Sequence, residues 1–313
     1  MLTAFLLLFL DLRAGKVFEK RTESVIAAFT GWILCLFLMV EILSCFKILD
    51  RTWLMVMWGL ADAILLARLL IKKRYKTLVS DIRLMLKQCN FPWMFAALSL
   101  FMLVLSVLTV PYNWDSMTYH LTRIAYWAQN KSVAHYATIS MREIASPVLA
   151  EFVNTCVYIL CGKQDVLLNL LQTFSYLAGI VLVNRISIKM GISSKKSMAA
   201  SVMFACMPIA FAEALSTQVD EFAAVWVLIF VYTVLDFIMY DDNLKWNRLN
   251  AYRLIVLSLS IAFGYLAKPS VIPEMLIFLI WMIIVRLKKK DNIRTLIAMI
   301  CVAALCILAA VSP

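Results

Sequence analysis

Residues 91–127 read FPWMFAALSLFMLVLSVLTVPYNWDSMTYHLTRIAYW, and the character of the chain changes at one point within them. Up to Val110 the stretch is apolar and carries no charge. From Pro111 to Trp127 it carries Asp115, His120, Arg123 and the aromatics Tyr112, Trp114, Tyr119, Tyr126 and Trp127. About 20 apolar residues suffice for a helix to cross the hydrocarbon core of a bilayer. The stretch therefore reads as a helix that leaves a membrane and at once presents reactive groups at its surface.

The remainder of the chain fits that reading. Of its 313 residues 64% are hydrophobic, where a soluble domain has about half, and the mean hydropathy is +0.87. Long apolar runs predict spans near 25–46, 52–71, 91–110, 165–187, 197–213, 219–239, 254–267, 271–286 and 295–312. The alternating segments of about ten residues that mark a membrane β-barrel are absent. The fold class expected is all-α, a polytopic transmembrane helix bundle. The net charge of +11 does not point to nucleic acid, because the basic residues sit in short loops between apolar runs. The eight cysteines lie in or beside apolar runs with no CxxC pair, and read as small hydrophobes. The opening MLTAFLLLFLDLRAGK lacks the basic start of a signal peptide and is short for a span; it reads as the remnant of a longer first helix.

Charge sets the expected orientation. Basic clusters lie at Arg13–Arg21, Lys72–Lys87, Arg185–Lys196, Lys245–Arg253 and Arg286–Arg294. All fall on one side, the cytoplasmic one by the positive-inside rule, only if PVLAEFVNTCVYILCG (147–162) does not cross. That segment is expected on the outer surface or re-entrant, which makes 111–164 one large external loop. Asp115, His120, His135, Arg142, Glu143, Asp220 and Lys268 then share the external face. Ionisable groups at a membrane edge are costly and are functional candidates for that reason.

Placed on an α-helix, Ser116–Gln129 lines up Met117, Leu121, Ile124, Ala125 and Ala128 on one stripe. Asp115, Tyr119, Thr122, Arg123 and Tyr126 fall opposite. That pattern predicts a helix lying in the interface, its apolar face in lipid and Arg123 toward solvent or headgroups. Asp115 and Asp220 are also plausible helix caps, and Lys268 could snorkel. His120 and His135 with a carboxylate could hold zinc, though no ligand spacing supports it.

WDSMTYHLTRIAYWAQNKSVAHY resembles the first external loop of bacterial membrane glycosyltransferases of the GT-C class, relatives of the protein O-mannosyltransferases and aminoarabinose transferases. SPVLAEFVNTCVYILCGKQDVLLNLLQ, MPIAFAEALSTQVDEFAAVW and IAFGYLAKPSVIPE resemble later segments of that family in the same order, across roughly 90–312. The resemblance implies a GT-C bundle whose first external loop carries interfacial helices. It implies a polyprenyl-phosphate-linked sugar as donor and a glycan, lipid or protein as acceptor. The acidic residue of the loop, matched here by Asp115, would be the base. Relatives often carry an acidic pair there, where this chain has Ser116, and REIASP has the single Pro147.

The expectation is thus an inverting glycosyltransferase of the inner membrane acting on its outer, periplasmic face. Residues 1–90 would add N-terminal helices and a basic loop, and 91–313 would form the GT-C-like module, incomplete at its C-terminus. Asp115 and Asp220 are the catalytic candidates. Lys268 and Arg142 would bind the donor phosphate, as cations where negative charge builds. His120, Tyr119, Trp114 and Glu143 would contact sugar, acceptor or a metal; no cofactor is demanded, and a divalent metal is compatible. The alternatives are a transporter or lipid-linked oligosaccharide flippase, disfavoured by the lack of a visible repeat, and a non-catalytic membrane subunit.

Overall fold

The computed structural model describes residues 1–15, 18, 20–73, 93–239 and 247–289, with part of 297–308. The basic residues from Arg74 to Lys87, Lys245, Lys290, Arg294 and much of the ninth expected span, 295–312, lie outside the described residues.

The described residues form helices and no strand. In order they are α1 (Leu2–Ala14), α2 (Arg21–Cys45), α3 (Arg51–Ile71), α4 (Trp93–Leu108), a π-helical turn (Ser116–His120), α5 (Leu121–Asn130), α6 (Met141–Ala145), α7 (Leu149–Leu160), α8 (Leu170–Lys189), α9 (Ser194–Ala205), α10 (Pro208–Glu213), α11 (Asp220–Met239), α12 (Arg248–Ala267) and α13 (Ile272–Lys288). Six stretches are long and apolar enough to cross a membrane: α2, α3, α8, α11, α12 and Pro269–Lys288, which includes α13. The protein is a multi-pass helical bundle. The expected span 197–213 is two helices, α9 and α10, because Pro208 has no amide to continue the ladder from α9.

The core lies between α2, α7, α8, α11 and α12. Trp226 stacks on Phe29 and packs against Phe263, and Phe37 stacks on Phe152. By contrast α3 and α13 bury little of themselves, as expected of helices facing lipid.

The two ends of the bundle differ. At one end Arg253 pairs with Glu23 at 3.3 Å, Lys189 with Asp236 at 2.5 Å, and Lys289 reaches the carbonyl of Ile238 at 3.2 Å. This end holds the described members of the basic clusters. At the other end the α2–α3 turn meets the start of the 131–140 loop: Leu49 N–H donates to Lys131 O, and the Ser44 and Ser132 hydroxyls are 2.9 Å apart. Asn169 Nδ2 donates to Thr109 O there, and Thr173 Oγ1 to Ala214 O.

Helix α7 keeps this arrangement consistent. Val148 N–H donates to Leu266 O at the second end, and the chain is back at that end by Asn169. Twelve residues of α-helix measure about 18 Å, well short of the ~30 Å hydrocarbon core. So α7 turns back, as expected, and of the two expected placements it is not the one on the surface. Leu149–Cys156 and Ile159 are buried, and α7 packs against α2, α3, α5 and α12.

The α5 region corrects the sequence reading more sharply. Its buried residues are Arg123, Ile124, Trp127 and Ala128, and Trp127 packs edge-on to Phe152 of α7. The stripe expected in lipid is split: Ile124 and Ala128 are in the core, while Met117 is 58% exposed. Arg123, expected at the solvent, is fully buried.

Candidate functional site

Four short elements meet at the second end of the bundle and enclose a cleft of about 420 Å³. Its wall includes Tyr119 and His120 from the π turn, Asp115 just before it, and Pro147 from the loop before α7. Glu213, Gln218 and Asp220 come from the α10–α11 connection, and Lys268 from the end of α12.

Asp115 does not cap its helix. Asn113 takes that task, its Oδ1 accepting from Ser116 N–H at 2.7 Å, and Asp115 itself already has helical backbone angles. Its carboxylate is therefore left for Arg142, whose Nη1 donates to Oδ1 at 2.9 Å. The Arg142 guanidinium also lies 5.7 Å from the centre of the Tyr119 ring. Asp220 is likewise released from capping duty: Gln172 of α8 accepts from Phe222 N–H at 3.0 Å. The Asp220 carboxylate instead pairs with Lys268.

The π turn decides which side chains share the cleft. On an α-helix, residues five apart point about 140° away from each other. Here Leu121 N–H closes on Ser116 O, an i→i+5 bond that widens the turn. Asp115, Tyr119 and His120 consequently reach one wall. Such turns recur at functional sites.

Behind the wall stands a buried polar group. His120 Nδ1 and Glu151 Oε1 are 2.7 Å apart, and Arg123 Nη1 donates to the same oxygen at 3.4 Å. Arg123 also donates to four carbonyls, those of Arg142, Glu143, Ser146 and Pro147, at 2.8–3.1 Å. One guanidinium thus satisfies most of the turn that carries Arg142 and Pro147 to the cleft.

Burial and neighbouring charge raise two ionisation ranges. Burial, then the negative charges of Asp115 and Glu151, push the Tyr119 hydroxyl up to about 12, so it stays a hydrogen-bond donor at neutral pH. Burial, then the neighbouring Asp220, raises the Glu213 carboxyl above the ordinary carboxylate value. With its amide nitrogen turned toward Glu213, Gln218 donates to both carboxylate oxygens, and its own oxygen accepts from Asn113 at 3.0 Å.

The structure brings together Asp115, Tyr119, His120, Asp220 and Lys268, with Arg142 on Asp115. It does not bring in the others. Glu143 turns away to accept from the Tyr136 hydroxyl at 2.8 Å; Trp114 is 78% exposed and His135 is exposed, neither on the cleft wall. Among the described residues no three His, Cys, Asp or Glu side chains are grouped so as to hold a metal ion. Sequence reasoning missed Glu213, Gln218 and Glu151. The signal for Glu151 was an acid amid the apolar run PVLAEFVNTC, which membrane-edge logic flags.

No protein-family model, curated protein or solved structure matches this chain.

Proposed function

We propose that the cleft transfers a sugar from a polyprenyl-phosphate donor to an acceptor hydroxyl at the outer face of the membrane. The observation that carries this reading is one cleft, at one end of an apolar bundle, holding Asp115, Asp220 and Lys268 together. The helices leading into it favour a lipid-tailed substrate. α4 exposes Leu100, Phe101, Val104 and Leu108, and α13 exposes Leu276, Ile277, Ile280 and Ile284. A prenyl chain lying along either would place its phosphate at the level of Asp115 or Lys268.

The chemistry needs few groups. Asp115 takes the proton of the acceptor hydroxyl, and the acceptor oxygen bonds to the anomeric carbon. The bond from that carbon to the phosphate oxygen breaks, and its electron pair stays on the phosphate. Attack opposite the leaving group inverts the centre. Lys268 and Arg142 receive the growing negative charge. Each is held by a carboxylate in the resting site, so the incoming phosphate exchanges with Asp220 for Lys268 and draws Arg142 from Asp115. The second exchange frees the Asp115 carboxylate for the acceptor.

Binding tests the donor half of this reading. Wild-type protein in lipid nanodiscs should bind polyprenyl monophosphate, and Lys268→Ala should weaken that binding about tenfold, the size of one charge-assisted contact. A wild-type protein that does not bind it, or a Lys268→Ala variant that binds equally well, contradicts the assignment.

A further inference from the structure

His120 has no part in the steps above, yet it is the most deliberately held side chain in the cleft. It is 3% exposed, and Glu151, which holds its Nδ1, is 1% exposed. No hydrogen bond to its Nε2 is formed among the described residues. Glu151 Oε2 has no hydrogen-bond partner either, so His120 and Arg123 share one oxygen of a buried carboxylate. A carboxylate at 2.7 Å holds a proton on Nδ1 and leaves Nε2, which makes no hydrogen bond among the described residues, as the atom that can carry a proton to the cleft.

We infer that His120 is a second proton-transfer group of the cleft, with Glu151 as its positioning residue: it delivers a proton to the departing phosphate. The inference rests on the donor reading above. The charged ring donates its Nε2 proton to the phosphate oxygen as the bond to the anomeric carbon breaks. The leaving phosphate keeps the bonding electrons and departs as the monoanion, and the neutral ring recovers a proton from water. Asp115 takes one proton from the acceptor and His120 gives one to the leaving group, so the site turns over without net change of charge. Tyr119 lies against the ring at 4.1 Å between centroids, and Asp115, Glu213, Asp220 and Lys268 line the same cleft. Replacing His120 alone leaves those groups in place, so a difference between wild type and the variant isolates the ring.

The test uses polyprenyl monophosphate, the product the site would release, with full-length protein in nanodiscs. His120→Gln should bind it about tenfold more weakly than wild type, the loss of one charge-assisted hydrogen bond, and the loss should shrink as pH is raised, because a neutral ring has no Nε2 proton to donate. Imidazole nitrogen NMR supplies a second reading independent of the variant's stability. The chain has only two histidines, so His135→Gln leaves one ring to observe. Its Nε2 resonance should move when polyprenyl monophosphate is added. Glu151→Gln should abolish that movement, and Glu151→Asp should restore part of it. A loss that does not change with pH, no loss at any pH, or a bound ligand that leaves the ring signal unmoved overturns the role of His120. Failure of wild type to bind at any pH removes the donor reading, and this role with it.

Discussion

Glu213 shows how single residues tune this cleft, and how they escape a reading of the sequence. It closes α10 and lines the cleft with Asp115, with Asp220 beside it. Its ionised form is disfavoured in the folded state by burial and then by Asp220, so the folded protein holds that proton to higher pH than the unfolded chain does. The sign follows from linkage. Stability contributed by Glu213 falls as pH rises from the ordinary carboxyl value through the raised one, and stays lower above it. Glu213→Gln should therefore raise the unfolding temperature at pH 7 and leave it unchanged near pH 3, measured by thermal unfolding in detergent. A drop at pH 7 would mean that the charge is stabilising there. Asp115, Asp220 and Lys268 were legible because each follows or precedes an apolar run directly. Glu213 was not, because the α9–α10 break hides it: read as one span, 197–213 leaves an acid at an unremarkable end.

At the scale of elements, periodicity fails at one identifiable place. The faces assigned to Ser116–Gln129 assume 100° per residue, and the π turn inserts an i→i+5 closure that shifts everything after it. Arg123 moves from the expected solvent face to the core, and His120 moves onto the wall with Asp115. No feature of SMTYH announces such a turn, and α5 packs on α7 directly after it. Arg123 is what that packing depends on. Its five donated hydrogen bonds hold residues 142–147 and Glu151, and it lies 5.3 Å from the centre of the Trp127 ring. Removing one partner of a buried ion pair costs about 3–5 kcal/mol. Arg123→Ala should destabilise the protein by that order and loosen Arg142 from Asp115. The checks are thermal unfolding, and proteolysis of the 137–147 segment in the folded protein. An Arg123→Ala protein as stable as wild type would show that the four carbonyls find other donors.

Over the whole molecule, the distribution of charge was the most legible property. Apolar runs fix the helices and basic loops sort their ends, and the structure places Glu23, Lys189, Asp236, Arg253 and Lys289 at the end opposite the cleft. Charge alone predicts that 147–162 does not cross, and the twelve-residue length of α7 agrees with it. Charge leaves open whether 147–162 lies on the outer surface or re-enters, and α7 is found inside the bundle. Ala137 and Ser194 are both exposed and lie at opposite ends. Ala137→Cys should react with an impermeant maleimide added outside intact cells, and Ser194→Cys only after the membrane is opened. Labelling of both from outside would contradict the orientation. One substitution tests whether the cleft transfers sugar with Asp115 as base. Asp115→Asn keeps the size of the side chain and most of its hydrogen bonding but removes the carboxylate. General-base catalysis accounts for about 10²–10⁴-fold in rate. Mass spectrometry of lipid-linked sugars and their acceptors in cells should show transfer reduced at least about a hundredfold in Asp115→Asn, with polyprenyl monophosphate binding by the purified variant preserved. Transfer at the wild-type rate in that variant, or the same lipids and glycans in cells with and without the gene, would contradict it.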